Sequence, residues 1–191
     1  MVLQNHLDAA YLVVTEARSR AGGYTFLGNK DENKQINNGA ISVIAKVIKG
    51  VMSSAAESEI AALYINARDL LPLRTTCTEL GHKQPATPMR TDNNTASSII
   101  NGIFKQDRIK AIDMRFYWLV DRVKQGQFKV YWASGKKNMA DFFTKHHPAS
   151  HHRKMRCVYT HTKDSPSSLQ GCVELLSWHN GFKLGLHARA V

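Results

Sequence analysis

Cysteine is scarce in this chain of 191 residues, which contains only three. Cys77, Cys157 and Cys172 are an odd number, and their spacings fit neither a zinc site nor a disulfide framework. This argues against a small secreted domain held together by disulfides, because such domains carry paired cysteines. The pattern predicts reduced thiols in an intracellular protein.

Long apolar runs are also missing. No window of the sequence approaches the roughly 18 apolar residues that a membrane-spanning helix requires. Residues 1–20 lack the basic start and the apolar stretch of a secretory signal. We therefore expect a soluble protein that neither spans a membrane nor passes through the secretory route.

Acidic residues are few relative to basic ones. The chain has 15 Asp and Glu against 26 Lys and Arg, which leaves a net charge of +11, spread along the sequence. Such a balance favours a polyanionic partner, nucleic acid or an acidic membrane surface, through counterion release and long-range attraction. A basic surface that meets only water is the alternative. Of these partners, the charge favours nucleic acid most.

Hydrophobic periodicity divides residues 1–150 into strands and helices. Stretches rich in β-branched and aromatic residues predict five strands, at 2–14, 22–28, 40–49, 87–92 and 127–133. Helical periodicity predicts four helices: one from Ser53 to about Leu71 that Pro72 should end, and others at about 94–104, 108–124 and 138–145, the last capped by Asn138. The order βββαβααβα predicts an α/β fold, a five-stranded mixed sheet with helices packed on it.

The pattern is lost from His146 onward, so we divide the chain into a domain at 1–150 and a poorly ordered basic tail at 151–191. Four imidazoles lie within a short stretch of "HHPASHH", which raises a zinc site as an alternative: His146, His147, His151 and His152. No cysteine stands at ligand spacing, and basic residues follow directly. A tail that touches nucleic acid or is merely solvated is therefore favoured.

The stretch "SSAAESEIAAL", at 53–63, contains two glutamates with different surroundings. On a helical wheel Glu57 lies roughly 100° from the centre of the apolar stripe, and its spacing from Ser54 predicts a capping box. Glu59 lies about 60° from that centre, at the edge of the core, where an ionised carboxylate is costly without a cationic partner. A basic side chain and a metal ion are the two candidates for that partner.

Three more acids stand at unusual positions. Asp8 lies inside the first predicted strand, where aspartate is disfavoured unless the position is an edge or a surface. Asp92 ends the fourth strand just before a helix, and Asp141 follows the Asn138 cap. Each of the last two also has an ordinary explanation, since acids stabilise the first turn of a helix.

Together these motifs resemble a known family. The segments "LDAAYL", "SSAAESEIAAL", "RTDNNTA" and "KKNMADFFTK", in this order and at these spacings, are similar to the ribonuclease H domain of copia-type retrotransposon polyproteins. The phrases "ARSRAGGYTFLG", "KAIDMRFYWLVDRV" and "FTKHHP" share the likeness, which covers residues 1–150. The predicted sheet is thus expected to be ribonuclease H-like.

The resemblance implies a metal-dependent endonuclease that hydrolyses the RNA strand of RNA–DNA hybrids. It implies four carboxylates that bind two Mg²⁺, with Mn²⁺ as a substitute, and Asp8 bridging both ions: Asp8, Glu59, Asp92 and Asp141. Two such ions suit the chemistry, because together they activate a water and stabilise the leaving 3′ oxygen. It also implies a reverse transcriptase domain of the same element as partner, and a cytoplasmic virus-like particle or the nucleus as location.

Substrate contacts are predicted from position alone. Six polar or basic residues lie near the acids or ahead of the long helix: Asn93, Asn94, Lys105, Arg108, Lys110 and Lys136. A solvated helix face explains the lysines equally well. The loop "SGKKN" lacks the histidine that many ribonucleases H carry there, which predicts slow turnover. The absence of a preceding reverse transcriptase suggests a polyprotein fragment or a degenerate copy.

Two rival functions remain. A catalytically inactive nucleic-acid-binding remnant would keep the fold and the charge without the metal site. A DNA-cutting integrase or transposase of similar fold would need a closing glutamate on a late helix, where this chain has Asp141. The ribonuclease H hypothesis is favoured because all four acids are present.

Overall fold

The computed structural model of the protein describes residues 1–28, 39–102 and 114–159. The strands are β1 Val2–Val14, β2 Arg18–Gly28, β3 Ala40–Val51, β4 Thr87–Thr91 and β5 Phe128–Trp132. The helices are α1 Ala55–Glu79, α2 Asn94–Ile100, α3 Met114–Lys124, α4 Asp141–Thr144 and α5 Ala149–Tyr159, with a short 3₁₀ helix at Gly135–Lys137. Within these ranges, no helix has the length and apolar character needed to cross a bilayer.

The five strands form one mixed sheet in the order β3-β2-β1-β4-β5. The first three strands pair antiparallel, while β4 pairs parallel with β1 and β5 pairs parallel with β4. The change of direction occurs at β1, which is the central strand. This confirms the predicted five-stranded mixed sheet flanked by helices.

Helix α1 packs on one face of the sheet through the apolar stripe that the periodicity predicted. Leu63, Ala67 and Leu70 are fully buried in the core. Asn66, on the same helix, donates to the carbonyl of Gly22, and a side chain at Gly23 would collide with it. A side chain at Gly22 would instead meet Thr144 of α4. Because adjacent strand residues point to opposite faces, α1 and α4 cover the two sides of the sheet.

The prediction that Pro72 ends α1 is wrong, because the helix continues to Glu79. Proline cannot donate to the carbonyl one turn earlier, a defect that costs on the order of 3 kcal/mol in a helix interior. Contacts beyond the proline compensate for this loss. The Arg74 guanidinium donates to the carbonyl of Pro85 at 2.6 Å and to the Thr87 hydroxyl, and Leu73 packs against the core. Tertiary contacts therefore hold the last turns in place.

Helix α4 also begins later than predicted. Its cap is Ala140 and not Asn138. The Asn138 side chain is buried, and it donates to the carbonyl of Leu7 in β1 at 2.7 Å while accepting from the N–H of Ala140 at 3.1 Å. The asparagine thus fastens the start of α4 to the central strand, and this long-range bond explains why it does not cap the helix.

The contacts within the chain divide it into two compact units, Met1–Pro148 and Ala149–Val191. In the second unit the structure describes α5, so the first residues of the predicted poorly ordered tail are helical. Pro148 precedes this helix, and helix-forming residues such as Lys154 and Met155 continue it. The prediction for the rest of the tail falls outside the described residues.

Candidate active site

The sheet opens between its two central parallel strands. The ladder between β1 and β4 ends at His6 and Arg90. Beyond this point β1 stays paired with β2 through Ala10, and β4 stays paired with β5 through Thr91. Asp8 and Asp92 each follow the last shared pair by two residues, so they lie on opposite sides of the opening.

Glu59 of α1 fills this opening. One of its carboxylate oxygens accepts from the backbone N–H of Ala9 in β1 at 3.0 Å, and the other accepts from the hydroxyl of Thr91 in β4 at 3.1 Å. The side chain is buried, with 4% exposed. Burial, followed by the charge of Asp8, raises the pKa of Glu59 to about 8. Among the described residues no ion pair joins Glu59 to a basic side chain.

Asp8 is buried in the central strand, with 3% exposed, so an edge or surface position does not explain an aspartate here. The hydroxyl of Thr144 donates to one of its carboxylate oxygens. Burial raises the pKa of Asp8, and the charges of Asp141 and Asp92 add to this effect. The Thr144 hydrogen bond and the charge of Lys145 oppose it without cancelling it.

Asp92 follows β4 and is partly exposed. The loop after β5 approaches it closely, since a Cβ at Gly135 would lie 2.6 Å from a carboxylate oxygen of Asp92. Arg90 holds this loop through bonds to the carbonyls of Ser134 at 2.5 Å and Lys137 at 3.0 Å. A side chain at 135 would therefore force the Asp92 carboxylate to move.

These three acids converge. One carboxylate oxygen from each of Asp8, Glu59 and Asp92 lies within 4.8 Å of the other two. Three hard oxygen donors at this spacing suit a divalent cation such as Mg²⁺. The raised pKa values of Asp8 and Glu59 show that the buried charges lack compensation, and a bound cation would provide it. The residues present thus fit a metal ion.

Asp141 lies outside this group of three. Its carboxylate forms an ion pair with Lys145, the residue that directly follows α4, and 31% of the Asp141 side chain is exposed. It is nevertheless close enough for its charge to act on Asp8. Burial lowers the pKa of Lys145, but the hydrogen bond to Asp141 and the charges of Asp8, Asp141 and Asp92 raise it by more. Its role as a fourth ligand stays a prediction.

The predicted substrate residues have different surroundings. The Asn93 side chain caps α2 by accepting from the N–H of Ala96 at 3.0 Å, whereas Asn94 and Lys136 are exposed. Lys136 lies on the 3₁₀ helix directly after Gly135, and hence near Asp92. Lys105, Arg108 and Lys110 lie outside the described residues. Substrate contact by any of these residues stays a prediction.

Two groups that hold the acids were missed by sequence reasoning. Thr91 fixes Glu59, and Thr144 fixes Asp8. Thr144 stands three residues after Asp141, and this spacing places both on one helix face, which is the signal that the sequence offered. Thr91 offered no such signal, because its partner lies on a distant helix.

Glu57 has the capping role that its position predicted. Ser54 is the N-cap of α1, and its side chain accepts from the N–H of Glu57 at 3.1 Å. The return bond differs from the expected one: the Glu57 carboxylate reaches the N–H of Ser53 at 2.6 Å instead of that of Ser54. Glu57 thus forms hydrogen bonds at the start of α1 and is not part of the acidic group.

Comparison with solved structures supports the fold, and comparison with curated proteins finds a relative. No protein-family model matches the chain. The chain is 28% identical over 144 residues, 75% of its length, to the retrovirus-related Pol polyprotein from transposon TNT 1-94 of Nicotiana tabacum, of which it spans 10%. Its fold is similar to that of LC11-RNase H1, isolated from compost by a metagenomic approach, with a TM-score of 0.50, 15% identity and coverage of 74% of this chain and 91% of the other. A structure of LC11-RNase H1 in complex with an RNA/DNA hybrid gives a TM-score of 0.46, 13% identity and coverage of 74% and 92%.

Proposed function

From the premise of a ribonuclease H-like domain related to a retrotransposon Pol polyprotein, we propose that this chain is a metal-dependent endonuclease of the copia type. Its substrate is the RNA strand of an RNA–DNA hybrid. It holds two Mg²⁺ ions through Asp8, Glu59, Asp92 and Asp141, and Mn²⁺ can replace them. The resemblance supplies the substrate and the number of ions, and the fold and the sequence relationship support the choice of family.

One observation carries the proposal. Asp8, Glu59 and Asp92 converge at the opening of the sheet, and two of them are buried with raised pKa values. A buried carboxylate that serves only the fold is normally paired with a basic group. Glu59 has two neutral donors instead, and these orient its oxygens without neutralising them. Such an arrangement suits carboxylates that bind a metal cation.

The residues of the chain have separate tasks in this proposal. Glu59 and Asp8 are oriented in advance by Thr91, the Ala9 N–H and Thr144. Asp92 and Asp141 complete the set from the exposed side. Divalent ions held there supply activation of a water and stabilisation of the leaving 3′ oxygen. Lys145 would compete with a divalent ion for Asp141, because its ammonium group already binds one of the two carboxylate oxygens.

Substrate binding in this proposal uses charge and shape. The net charge of +11 attracts the phosphate backbones. Asn93, Asn94 and Lys136 lie near Asp92, and they would contact the hybrid. Lys105, Arg108 and Lys110 would contact it as well. Recognition of 2′-hydroxyl groups is what separates a hybrid from a DNA duplex.

The polyprotein context extends the proposal. A reverse transcriptase domain of the same element would be the partner, because the two activities act on one hybrid. The place of action would be a cytoplasmic virus-like particle or the nucleus, where such hybrids form.

The test is cleavage of a labelled hybrid by the purified protein. We expect cleavage of the RNA strand with Mg²⁺ or Mn²⁺, none with EDTA, and none with Glu59→Gln. The DNA strand and a DNA duplex of the same sequence should stay intact. Failure of the wild type to cut the hybrid with either ion would contradict the proposal.

A catalytically inactive nucleic-acid-binding remnant is the second candidate. The observation in its favour is the ion pair of Asp141 with Lys145, which occupies the carboxylate that the fourth ligand position requires. The loop without a histidine agrees with it. Binding of the hybrid without cleavage, and with no effect of Mg²⁺ on stability, would favour this candidate.

A further inference from the structure

Trp132 combines an exposed ring with a fixed position. It is the last residue of β5, opposite Thr91 of β4, and 52% of it is exposed. Its indole N–H donates to the backbone carbonyl of Asp92 at 2.9 Å. The hydrogen bond anchors one edge of the indole to the residue that contributes a carboxylate, while the ring remains open to solvent.

Another tryptophan of the chain, Trp118, has its ring engaged by neighbouring side chains. Trp118 of α3 packs against Tyr64 at a centroid distance of 5.4 Å and lies under the Arg122 guanidinium at 5.2 Å. Trp132 makes no ring contact or cation–π contact within the described ranges. Its π face is therefore available to a ligand.

Two lysines follow the exposed ring closely along the chain. Lys136 and Lys137 are exposed on the 3₁₀ helix that follows β5, and Arg90 holds the loop that carries them. An exposed aromatic ring followed closely in sequence by two ammonium groups suits a nucleic-acid strand, because a sugar or an unpaired base packs on the ring while phosphates meet the lysines. Isolated exposed apolar residues are common on proteins. The anchoring to Asp92 and the flanking charge distinguish this one.

We propose that Trp132 is a stacking platform for a base or sugar of the nucleic-acid strand that enters the acidic site. This inference rests on the proposed function, because it assigns the strand a position beside the carboxylates. The indole N–H then has a second use: by holding the Asp92 backbone, it fixes the distance between the stacked nucleotide and the metal ligands. Trp132 thereby links binding of the strand to its alignment.

The experiment measures binding and cleavage separately. Binding of a fluorescent RNA–DNA hybrid is followed by anisotropy in EDTA, where no cleavage is expected, for the wild type, Trp132→Ala and Trp132→Phe. Stacking on an aromatic ring predicts that Trp132→Ala raises the Kd about tenfold. Trp132→Phe keeps a ring and should raise the Kd less than threefold or so, within the same range of stacking strengths. It should nevertheless lower the cleavage rate with Mg²⁺, because the bond to Asp92 is gone.

Leu80→Ala is the matched control. Leu80 is also a large exposed apolar residue, but it lies at the far end of α1, about 30 Å from Glu59 at the helical rise of 1.5 Å per residue. Its removal should leave the Kd unchanged. Circular dichroism and the unfolding midpoint verify that each variant is folded.

The outcomes separate this inference from the proposed function. A wild type that binds but does not cut, with weaker binding by Trp132→Ala, contradicts the nuclease and supports the platform. A wild type that cuts normally, with the same Kd for Trp132→Ala, overturns the platform alone. Equal losses of affinity in the phenylalanine and alanine variants would also overturn it, because the ring would then not be what binds.

Discussion

The four acids form an inner pair and an outer pair that differ in their surroundings. The inner pair, Asp8 and Glu59, is buried and is held by neutral donors. The outer pair, Asp92 and Asp141, is partly exposed, and Asp141 has Lys145 as an ionic partner. The inner pair is therefore oriented but uncompensated, whereas the outer pair has access to water and a cation of the chain. The comparison shows that the uncompensated negative charge belongs to the inner pair.

Substitution of an inner acid should give the largest effect on activity. Glu59→Gln keeps the shape of the side chain but removes its charge, so it should lower hybrid cleavage by at least about 1,000-fold. The metal-free protein should become more stable, because a buried uncompensated charge has been removed. Quantified gel assays and denaturant unfolding check both effects. A variant that loses stability and keeps activity would contradict the distinction between the pairs.

The inner pair should also make the metal-free protein sensitive to pH. In the folded protein the pKa of Glu59 is about 8, above its value in the unfolded chain. The folded state therefore binds a proton more readily than the unfolded chain does, and the stability of the protein falls as pH rises toward 8. His6 acts in the opposite direction: burial, with Arg90 nearby, lowers its pKa to about 3, which adds stability as pH rises to about 6.5. The fall should therefore be visible between about pH 6.5 and 8, where it amounts to about 2 kcal/mol.

Denaturant unfolding in EDTA at several pH values measures this slope. Glu59→Gln provides the control, since it removes the titrating group and should flatten the curve in that interval. If the stability of the wild type rises from pH 6.5 to 8, or if the variant retains the fall, the ionisation of Glu59 costs the folded protein little stability.

The role of the outer pair is tested by replacing Lys145, the basic residue that pairs with Asp141. Lys145→Met leaves Asp141 without its ionic partner, so divalent ions should bind severalfold more tightly, while the metal-free protein loses about 0.5 kcal/mol or less because the pair is half exposed. Calorimetric titration with Mn²⁺ measures the affinity. Lys83→Met, which removes an exposed lysine near the end of α1, is the control. Weaker Mn²⁺ binding by the Lys145 variant would mean that the lysine supports the metal site.

Glu57 should give the smallest effect. Glu57→Ala removes a capping interaction worth about 1 kcal/mol and leaves the acidic group untouched. Cleavage should stay close to that of the wild type, and the unfolding midpoint should fall by about 3 °C for a domain of this size. An activity loss as large as that of Glu59→Gln would mean that the two glutamates have been assigned the wrong roles.

Local periodicity was sufficient to predict most of the fold. The strands, their order along the chain and the apolar stripe of Leu63, Ala67 and Leu70 followed from spacing alone. Two of the errors occurred at Pro72 and Asn138, where a local rule competed with a distant contact. Arg74 ties the helix beyond the proline to Pro85 and Thr87, and Asn138 binds the Leu7 carbonyl of β1. Sequence spacing does not report contacts of this kind.

The site was predictable to a lesser degree. A helical wheel showed that Glu59 lies at the edge of the core, where its charge is costly without a cationic partner. The resemblance named the other acids. Position along the chain could not show that the ladder between β1 and β4 ends at His6 and Arg90 and so creates room for Glu59. Nor could it show that Asp141 pairs with Lys145 while Thr144, on the same short helix, bonds to Asp8.

The most direct test of the central claim compares the unfolding midpoints of the wild type and Asp8→Asn at neutral pH as Mg²⁺ is titrated to millimolar concentration. Burial raises the pKa of Asp8, and neighbouring acids add to this effect, so the asparagine should raise the metal-free midpoint. Mg²⁺ should raise the midpoint of the wild type and have little effect on the variant, because binding to the folded state alone stabilises it. An Asp8→Asn midpoint that climbs with Mg²⁺ as the wild type's does would place the ion elsewhere and contradict the account.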